Sequence, residues 1–166
     1  MNDVLLQVAT YQGAPIRNDI EATLVEALSL NIDLVLFPEL FLTHYDIGTK
    51  ELCERAVSID SNVMARIRSL ASTHSIAFAI GYPEVDLDGV IYNSCCLLDS
   101  SGSILLNYRK SHLWTCGEYE TSVFTPGTEF PVVDMKLPKT GKTVRVGVLI
   151  CFDIEFPEPI RLLCLK

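Results

Sequence analysis

One stretch near the end of the chain carries most of the information about fold and chemistry. It reads Val144-Arg145-Val146-Gly147-Val148-Leu149-Ile150-Cys151-Phe152-Asp153-Ile154-Glu155-Phe156-Pro157-Glu158. The apolar run that ends at Ile150 predicts a buried strand, and Pro159–Leu163 predicts the start of a helix. A thiol on such a turn projects into a crevice, where the following helix N-terminus favours the thiolate. The stretch can therefore present Cys151 as a nucleophile, although on its own it favours a buried structural cysteine, and the choice depends on the residues described below.

The first forty residues show a strand, a helix and a second strand. Val4 to Thr10 predicts the first strand, and Leu34 to Phe37 predicts the second. Between them, Asn18 and Glu21 have the spacing of a capping box, which predicts a helix over residues 19–30. This order predicts a parallel strand pair joined by a right-handed crossover.

The middle of the chain adds helices and antiparallel strands. We expect helices over residues 51–57 and Ser61–Ser72, a strand over Ile76–Ile80, and an irregular segment over residues 109–130. Turn residues between apolar runs predict two hairpins, Val90–Leu98 with Ile104–Tyr108 and Val132–Leu137 with Thr143–Ile150. Residues 1–166 thus form a single α/β domain with some antiparallel pairing.

Charge and hydropathy exclude several functions. The chain has 166 residues, 49% of them hydrophobic, and a formal net charge of −8. An acidic chain without a basic cluster is a poor ligand for nucleic acid or for an anionic membrane. The sequence has no bilayer-spanning apolar run and no secretory signal after Met1, so we expect a cytoplasmic protein.

The six cysteines show no spacing typical of a disulfide framework, so free thiols are expected. Cys95 and Cys96 are expected on opposite faces of one strand. His112 and Cys116 lie four residues apart, but two ligands do not make a zinc site. The sequence gives no reason to expect a metal.

Three polar residues in apolar settings suggest a common site. Glu39 follows Phe37, and partial removal of its carboxylate from water makes it a stronger base. Lys110 places a cation near Trp114, and Cys151 supplies a thiol. A proton acceptor, a fixed positive charge and a nucleophile are the functions that acyl transfer through a thioester requires.

Four motifs in this order resemble those of the carbon–nitrogen hydrolase (nitrilase) superfamily, on its amidase-like side. They are Phe37-Pro38-Glu39, Tyr108-Arg109-Lys110 with His112-Leu113, Glu120 ahead of Thr125-Pro126-Gly127, and Cys151-Phe152-Asp153 with Phe156-Pro157-Glu158. The nucleophile of true nitrilases is commonly followed by Trp-Glu, which favours an amidase.

The resemblance implies roles for individual residues. Glu39 would be the general base and Cys151 the nucleophile, while Lys110 and the backbone N–H of Phe152 would stabilise the oxyanion. Glu120 would orient Lys110 or the substrate. The implied reaction is hydrolysis of small linear amides, with no metal or organic cofactor.

Other residues near the motifs leave alternatives open. Phe152, Trp114 and His112 are candidate substrate-binding residues, although Trp114 is as compatible with the core as with a pocket wall. His112 also permits a Cys–His hydrolase in which it is the base, or a structural hydrogen bond near the site. Glu118 is a rival of Glu120, and spacing favours Glu120.

The family fold is a four-layer α-β-β-α sandwich, of which this chain is expected to supply the N-terminal part. We expect it to end within the helix after Cys151, a helix that commonly helps to form a homodimer in the family. A second hypothesis is therefore a catalytically inactive, truncated homologue, acting as an interaction partner or representing an incomplete gene product.

Overall fold

Two stacked sheets between helices form the framework of the protein. The computed structural model describes residues 4–13 and 19–166. The helices are α1 (Asp19–Ser29), α2 (Thr49–Arg55), α3 (Asn62–His74), α4 (Tyr119–Val123) and α5 (Pro157–Cys164). The strands are β1 (Val8–Thr10), β2 (Leu34–Leu36), β3 (Ala77–Val85), β4 (Ile91–Leu98), β5 (Ile104–Arg109), β6 (Val132–Lys136) and β7 (Thr143–Gly147). Over these two described ranges, no helix combines the length and apolar character needed to cross a membrane.

The larger sheet has five strands in the order β1-β2-β3-β4-β5. β1 and β2 are parallel, with Val8 opposite Leu34, and β2 is also parallel to β3. β3, β4 and β5 are antiparallel neighbours. The turn between β4 and β5 is closed by the backbone N–H of Gly102, which donates to the Asp99 carbonyl at 3.0 Å. The predicted parallel pair and first hairpin are confirmed.

Both faces of this sheet are covered, and each face has its own apolar core. On one face, Leu24 of α1 and Met64 of α3 pack in the same cluster as Cys96 of β4. On the other face, Cys95 clusters with Met135 of β6. The two cysteines thus lie on opposite faces of one strand, as predicted from their adjacency. Full burial of a leucine or methionine side chain, such as those named above, contributes about 1.5–3 kcal/mol to the free energy of unfolding.

The smaller sheet is the predicted second hairpin, β6 paired with β7, and it provides the next layer. Its pairing begins with Val132 opposite Gly147 and ends with Lys136 opposite Thr143. Helix α5 packs on it, because a Cβ placed on Gly147 would lie 2.8 Å from a methyl group of Leu163. The layers therefore follow the α-β-β-α order that the resemblance implied.

The apolar run before Cys151 does not form the predicted buried strand that ends at Ile150. β7 ends at Gly147, and its residues alternate between exposed and half-buried. Arg145 points away from the core and pairs with Asp134 across the hairpin, with 2.9 Å between Nε and Oδ1. Within the described residues β7 has one ladder partner, so the strand is only partly enclosed. Leu149 and its neighbours continue as irregular chain and pack on the second core.

Two other segments also differ from prediction. β3 continues past Ile80 to Val85, through Gly81 and Pro83, because β4 pairs along its full length. The segment predicted as irregular contains α4, a five-residue helix too short to give a periodic pattern. The predicted cap at Asn18 lies outside the described residues.

Gly81 allows the chain after β2 to cross closely over β3. A Cβ at this position would lie 2.5 Å from the carbonyl oxygen of Pro38 and 2.6 Å from the backbone nitrogen of Leu40. Contacts this close to rigid backbone are not tolerated by any residue larger than glycine. The residue held over Gly81 is Glu39, whose Cα would lie 2.9 Å from the added atom.

The Gly81→Ala variant is expected to lose about 1–3 kcal/mol of unfolding free energy, because overpacking must displace the backbone of the crossing segment. Gly48→Ala is the matched control, since nothing lies within 4 Å of its added Cβ. Thermal or urea denaturation followed by circular dichroism measures both changes. Equal stability of the two variants would contradict the close-approach argument.

Candidate active site

Three segments distant in sequence bring their polar residues to one place. Glu39 lies just after β2, Lys110 directly after β5, and Cys151 at the start of a 3-10 turn over Cys151–Glu155. Two backbone positions there are in the left-handed region, Leu40 with φ of 50° and Cys151 with φ of 46°. Such conformations are costly for non-glycine residues and concentrate at functional sites.

The centre of the site is the fully buried ammonium group of Lys110. Its Nζ donates to Oε1 of Glu39 at 2.7 Å and to Oε1 of Glu120 at 2.8 Å. Burial alone lowers the pKa of a lysine, but the hydrogen bonds and charges of the two carboxylates raise the pKa of Lys110 overall. Lys110 is therefore a permanent positive charge between two acids.

Glu39 connects this ammonium to the thiol. Its Oε1 accepts a second hydrogen bond, from Nδ2 of Asn93 at 2.7 Å. The Cys151 thiol lines the same cavity as this carboxylate. Asn93 also fixes the lysine segment, because its carbonyl accepts from the backbone N–H of Lys110 at 2.8 Å. Glu39 thus pairs with the cation and lies in the cavity that adjoins the sulfur.

The thiol itself is held in its protonated form. Cys151 is exposed as a residue, yet protein atoms partly exclude water from its sulfur, and this burial raises its pKa. The negative charge of Glu39 raises the pKa further, and the positive charge of Lys110 opposes it. The expectation that a helix N-terminus favours the thiolate is wrong, since the 3-10 turn separates Cys151 from α5, which begins only at Pro157.

Glu120 lies on α4 and is fully buried. Besides the lysine, its Oε1 accepts from the hydroxyl of Tyr45 at 2.8 Å, and its Oε2 accepts from the backbone N–H of Trp114 at 2.7 Å. Burial and the bond to Glu120 raise the pKa of Tyr45, so this hydroxyl stays a donor. The rival Glu118 is exposed to solvent.

A carboxylate to which the sequence motifs gave no role, that of Asp153, stands two residues after Cys151. Asp153 is fully buried and accepts hydrogen bonds from the hydroxyl of Tyr108 at 2.8 Å and from the backbone N–H of Ile150 at 3.0 Å. Its other oxygen accepts from the backbone N–H of His112 at 2.8 Å and lies 2.9 Å from Nδ1 of that ring. His112 is therefore bonded to Asp153, which matches the structural alternative considered for it.

Aromatic rings flank the cysteine turn. Phe152 meets Trp114 edge-on at 5.1 Å and Phe156 at 5.2 Å, and Phe156 stacks on His112 at 4.2 Å. Trp114 is partly exposed, as expected for a pocket wall. A cavity of about 120 Å³ adjoins the thiol, and its lining residues are Phe37, Pro38, Glu39, Gly81, Cys95, Leu149, Ile150 and Cys151.

Residues 4–13 and 19–166 contain no group of three or more His, Cys, Asp or Glu side chains placed to hold a metal ion. What the site does contain is an acid-base pair, a thiol and a fixed cation in contact. This arrangement is suited to nucleophilic attack by sulfur with proton transfer to a carboxylate.

Comparison with known sequences gives a consistent result. The family model for carbon–nitrogen hydrolases matches residues 6–166. The Pseudomonas protegens protein named hydrolase in pqqF 5' region is 38% identical over 166 residues, covering 96% of this chain and 55% of that protein. An (R)-stereoselective amidase from Pseudomonas is 37% identical, covering 79% of this chain and 43% of its own length. The chain spans about half the length of the curated relatives it matches.

Comparison with solved structures also finds amidases. The NitN amidase from Nesterenkonia sp. AN1 is 25% identical, with a TM-score of 0.79 over 95% of this chain and 61% of that one. A variant of the same amidase has been solved after Michael addition of acrylamide at its active-site cysteine. The fold described above is thus that of known amidase structures.

The Glu39→Gln variant should shift the pH dependence of Cys151 alkylation by iodoacetamide to lower pH. Burial raises the pKa of the thiol and the charge of Glu39 raises it further, so removal of that charge lowers the pKa. Peptide mapping by mass spectrometry separates Cys151 from the other cysteines. Glu118→Gln makes the same chemical change on an exposed residue and should leave the midpoint in place. An unchanged or raised midpoint for Glu39→Gln would contradict the assigned contact.

Proposed function

The chain belongs to the carbon–nitrogen hydrolase family, and from that premise we propose that it hydrolyses small linear amides through a thioester on Cys151. The observation that carries the proposal is the contact chain at the site. Lys110 donates to Glu39 and Glu120, and Glu39 lines the same cavity as the Cys151 thiol. Proton acceptor, cation and nucleophile therefore adjoin one another before any substrate binds.

In the first half of the reaction, Glu39 takes the proton from the Cys151 thiol as sulfur attacks the carbonyl carbon of the amide. The carbonyl oxygen gains negative charge, which Lys110 and the backbone N–H of Phe152 stabilise. Lysine has three N–H donors, and two are used by carboxylates, so one serves the substrate. Glu39 then returns the proton to the nitrogen, the carbon–nitrogen bond breaks, and ammonia or an amine leaves.

In the second half, water enters and gives a proton to Glu39 while its oxygen attacks the thioester carbon. The carbon–sulfur bond breaks, Cys151 recovers the proton from Glu39, and a carboxylic acid is released. The raised pKa of Cys151 supports a mechanism in which deprotonation accompanies attack. No metal or organic cofactor takes part in the proposed cycle.

Glu120 is proposed to orient Lys110 and not to exchange protons with the substrate. Both of its oxygens already accept hydrogen bonds, from Lys110, Tyr45 and Trp114, and it is fully buried. Two carboxylates on one ammonium fix its position more tightly than one would, which favours a preorganised oxyanion site.

The substrate class follows from the relatives and the site. The (R)-stereoselective amidase and the NitN amidase are both named for amide substrates, which supports amides here. Phe152, Trp114 and His112 are the proposed substrate-binding residues. Phe152 directly follows Cys151 and meets the Trp114 ring edge-on, and the His112 side chain is 31% exposed while its ring contacts Asp153. The inactive-homologue hypothesis is not favoured, because the four proposed catalytic residues are present and the family match runs through all of them.

The test of this function is a panel of small amides and carbamoyl-amines with detection of released ammonia, using the longest natural form of the protein. Cys151→Ala should lower turnover by on the order of 10⁶-fold, as removal of an acyl-transfer nucleophile does elsewhere. Cys53→Ala, an exposed thiol on α2, is the matched control and should retain activity. Turnover that survives in Cys151→Ala would exclude the thioester mechanism.

We also propose that the protein forms a homodimer through α5, as the family resemblance implied. Ile160, Leu162 and Leu165 are exposed on and beside this helix, and exposed apolar clusters mark interaction surfaces. Leu162→Glu should change the mass measured by light scattering from dimer to monomer. Leu87→Glu, at a fully exposed turn residue, should leave the dimer intact. A dimer that survives in Leu162→Glu would place the interface elsewhere.

A further inference from the structure

One buried carboxylate, Asp153, connects the two chain segments that carry the proposed nucleophile and the proposed oxyanion cation. It contacts Tyr108 and His112, which stand two residues before and two residues after Lys110. It also contacts Ile150, which directly precedes Cys151. Among the described residues, no other carboxylate side chain accepts backbone N–H bonds from both segments.

All of these contacts are donations to Asp153. Tyr108 donates a hydroxyl, His112 and Ile150 donate backbone N–H groups, and the His112 ring donates from Nδ1, since an ionised carboxylate only accepts. Burial raises the pKa of Tyr108, and the bond to Asp153 raises it further, so its hydroxyl keeps its proton. The arrangement uses both oxygens of a fully buried carboxylate as acceptors.

The turn that Asp153 holds is strained. Cys151 has a φ of 46°, a conformation that a residue with a side chain keeps only when its surroundings impose it. The residue before it is fixed to Asp153 through Ile150 N–H, and the backbone N–H of Asp153 donates back to the Ile150 carbonyl at 3.1 Å. The two hydrogen bonds between Asp153 and Ile150 thus enclose Cys151 within the turn and restrain the direction of its thiol.

We propose that Asp153 is a positioning residue, which keeps the Cys151 thiol in the cavity beside Glu39 by binding the turn to the Lys110 segment. The expected effect of Asp153 on turnover rests on the proposed function. Its expected effect on alkylation of the Cys151 thiol does not depend on hydrolysis. Asp153→Asn replaces one acceptor oxygen by an NH₂ group, which then faces N–H and O–H donors. At least one of the two segments must therefore lose a hydrogen bond to this side chain.

The first measurement is the alkylation midpoint of Cys151, read by peptide mapping. In the wild-type background Glu39→Gln should lower this midpoint, because the charge of the nearby Glu39 adds to burial in raising the pKa of the thiol. In the Asp153→Asn background the same Glu39→Gln change should produce less than half of that shift, since the thiol is no longer held beside residue 39. A shift of unchanged size in both backgrounds would overturn the proposal, whether or not any amide is hydrolysed.

The second measurement is turnover on the best amide of the panel. Asp153→Asn should lower kcat by about 100-fold, the effect of a displacement of about 1 Å in a reacting group, with KM changed less than threefold. Asp134→Asn, in the exposed pair with Arg145, is the matched control and should behave as wild type. An unchanged kcat for Asp153→Asn would overturn the proposal, while a wild-type protein inactive on every amide would overturn only the proposed function.

Tyr108→Phe keeps the inference testable if Asp153→Asn does not fold, because it removes one donor and leaves the carboxylate and the ring packing. We expect kcat to fall by about tenfold, the contribution of one hydrogen bond to a charged group, again with little change in KM. In a folded Asp153→Asn protein the added Tyr108→Phe change should cost less than it does alone. Wild-type kcat in Tyr108→Phe would contradict the proposal.

Discussion

The burial of one ammonium group, that of Lys110, sets the conditions for the rest of the site. A charge removed from water is tolerated only when it is paired and hydrogen-bonded, and here two carboxylates at 2.7 and 2.8 Å meet that requirement. Glu39 and Glu120 come from the end of β2 and from α4, so the single cation draws two distant segments to the end of β5. The positions of these two segments in the fold and their place in the site therefore follow from the same need to pair one buried cation.

Close backbone packing makes this convergence possible. Gly81 lets the Glu39 segment pass directly over β3, and Gly127 lies against Arg109, where a Cβ would collide with the main chain. The backbone N–H of Gly127 also donates to the Lys110 carbonyl at 2.8 Å. The lysine is thus fixed through its backbone as well as its ammonium, and a small change in either segment alters the geometry around the thiol.

Glu39, Lys110 and Cys151 could be predicted because each follows an apolar strand, and such polar positions stand out in a sequence. Asn93 and Tyr45 gave no such signal, since one lies within a strand and the other in a loop, and their roles come from contacts across the fold. One short element, the five-residue helix α4, escaped prediction for a related reason. It depends on tertiary contacts, which leave no periodic pattern in the sequence. The direction of the Cys151 pKa also depended on a neighbour from another segment.

The raised pKa of Cys151 also affects how readily its sulfur is oxidised. Peroxides attack the thiolate and not the thiol, so a sulfur that rests with its proton is a poor target for conversion to sulfenic or sulfinic acid. A nucleophile kept permanently ionised would be more easily destroyed between turnovers. In the proposed mechanism Glu39 removes the proton only as the thiol attacks an amide, so the sulfur is reactive toward a bound substrate and resists oxidants between turnovers.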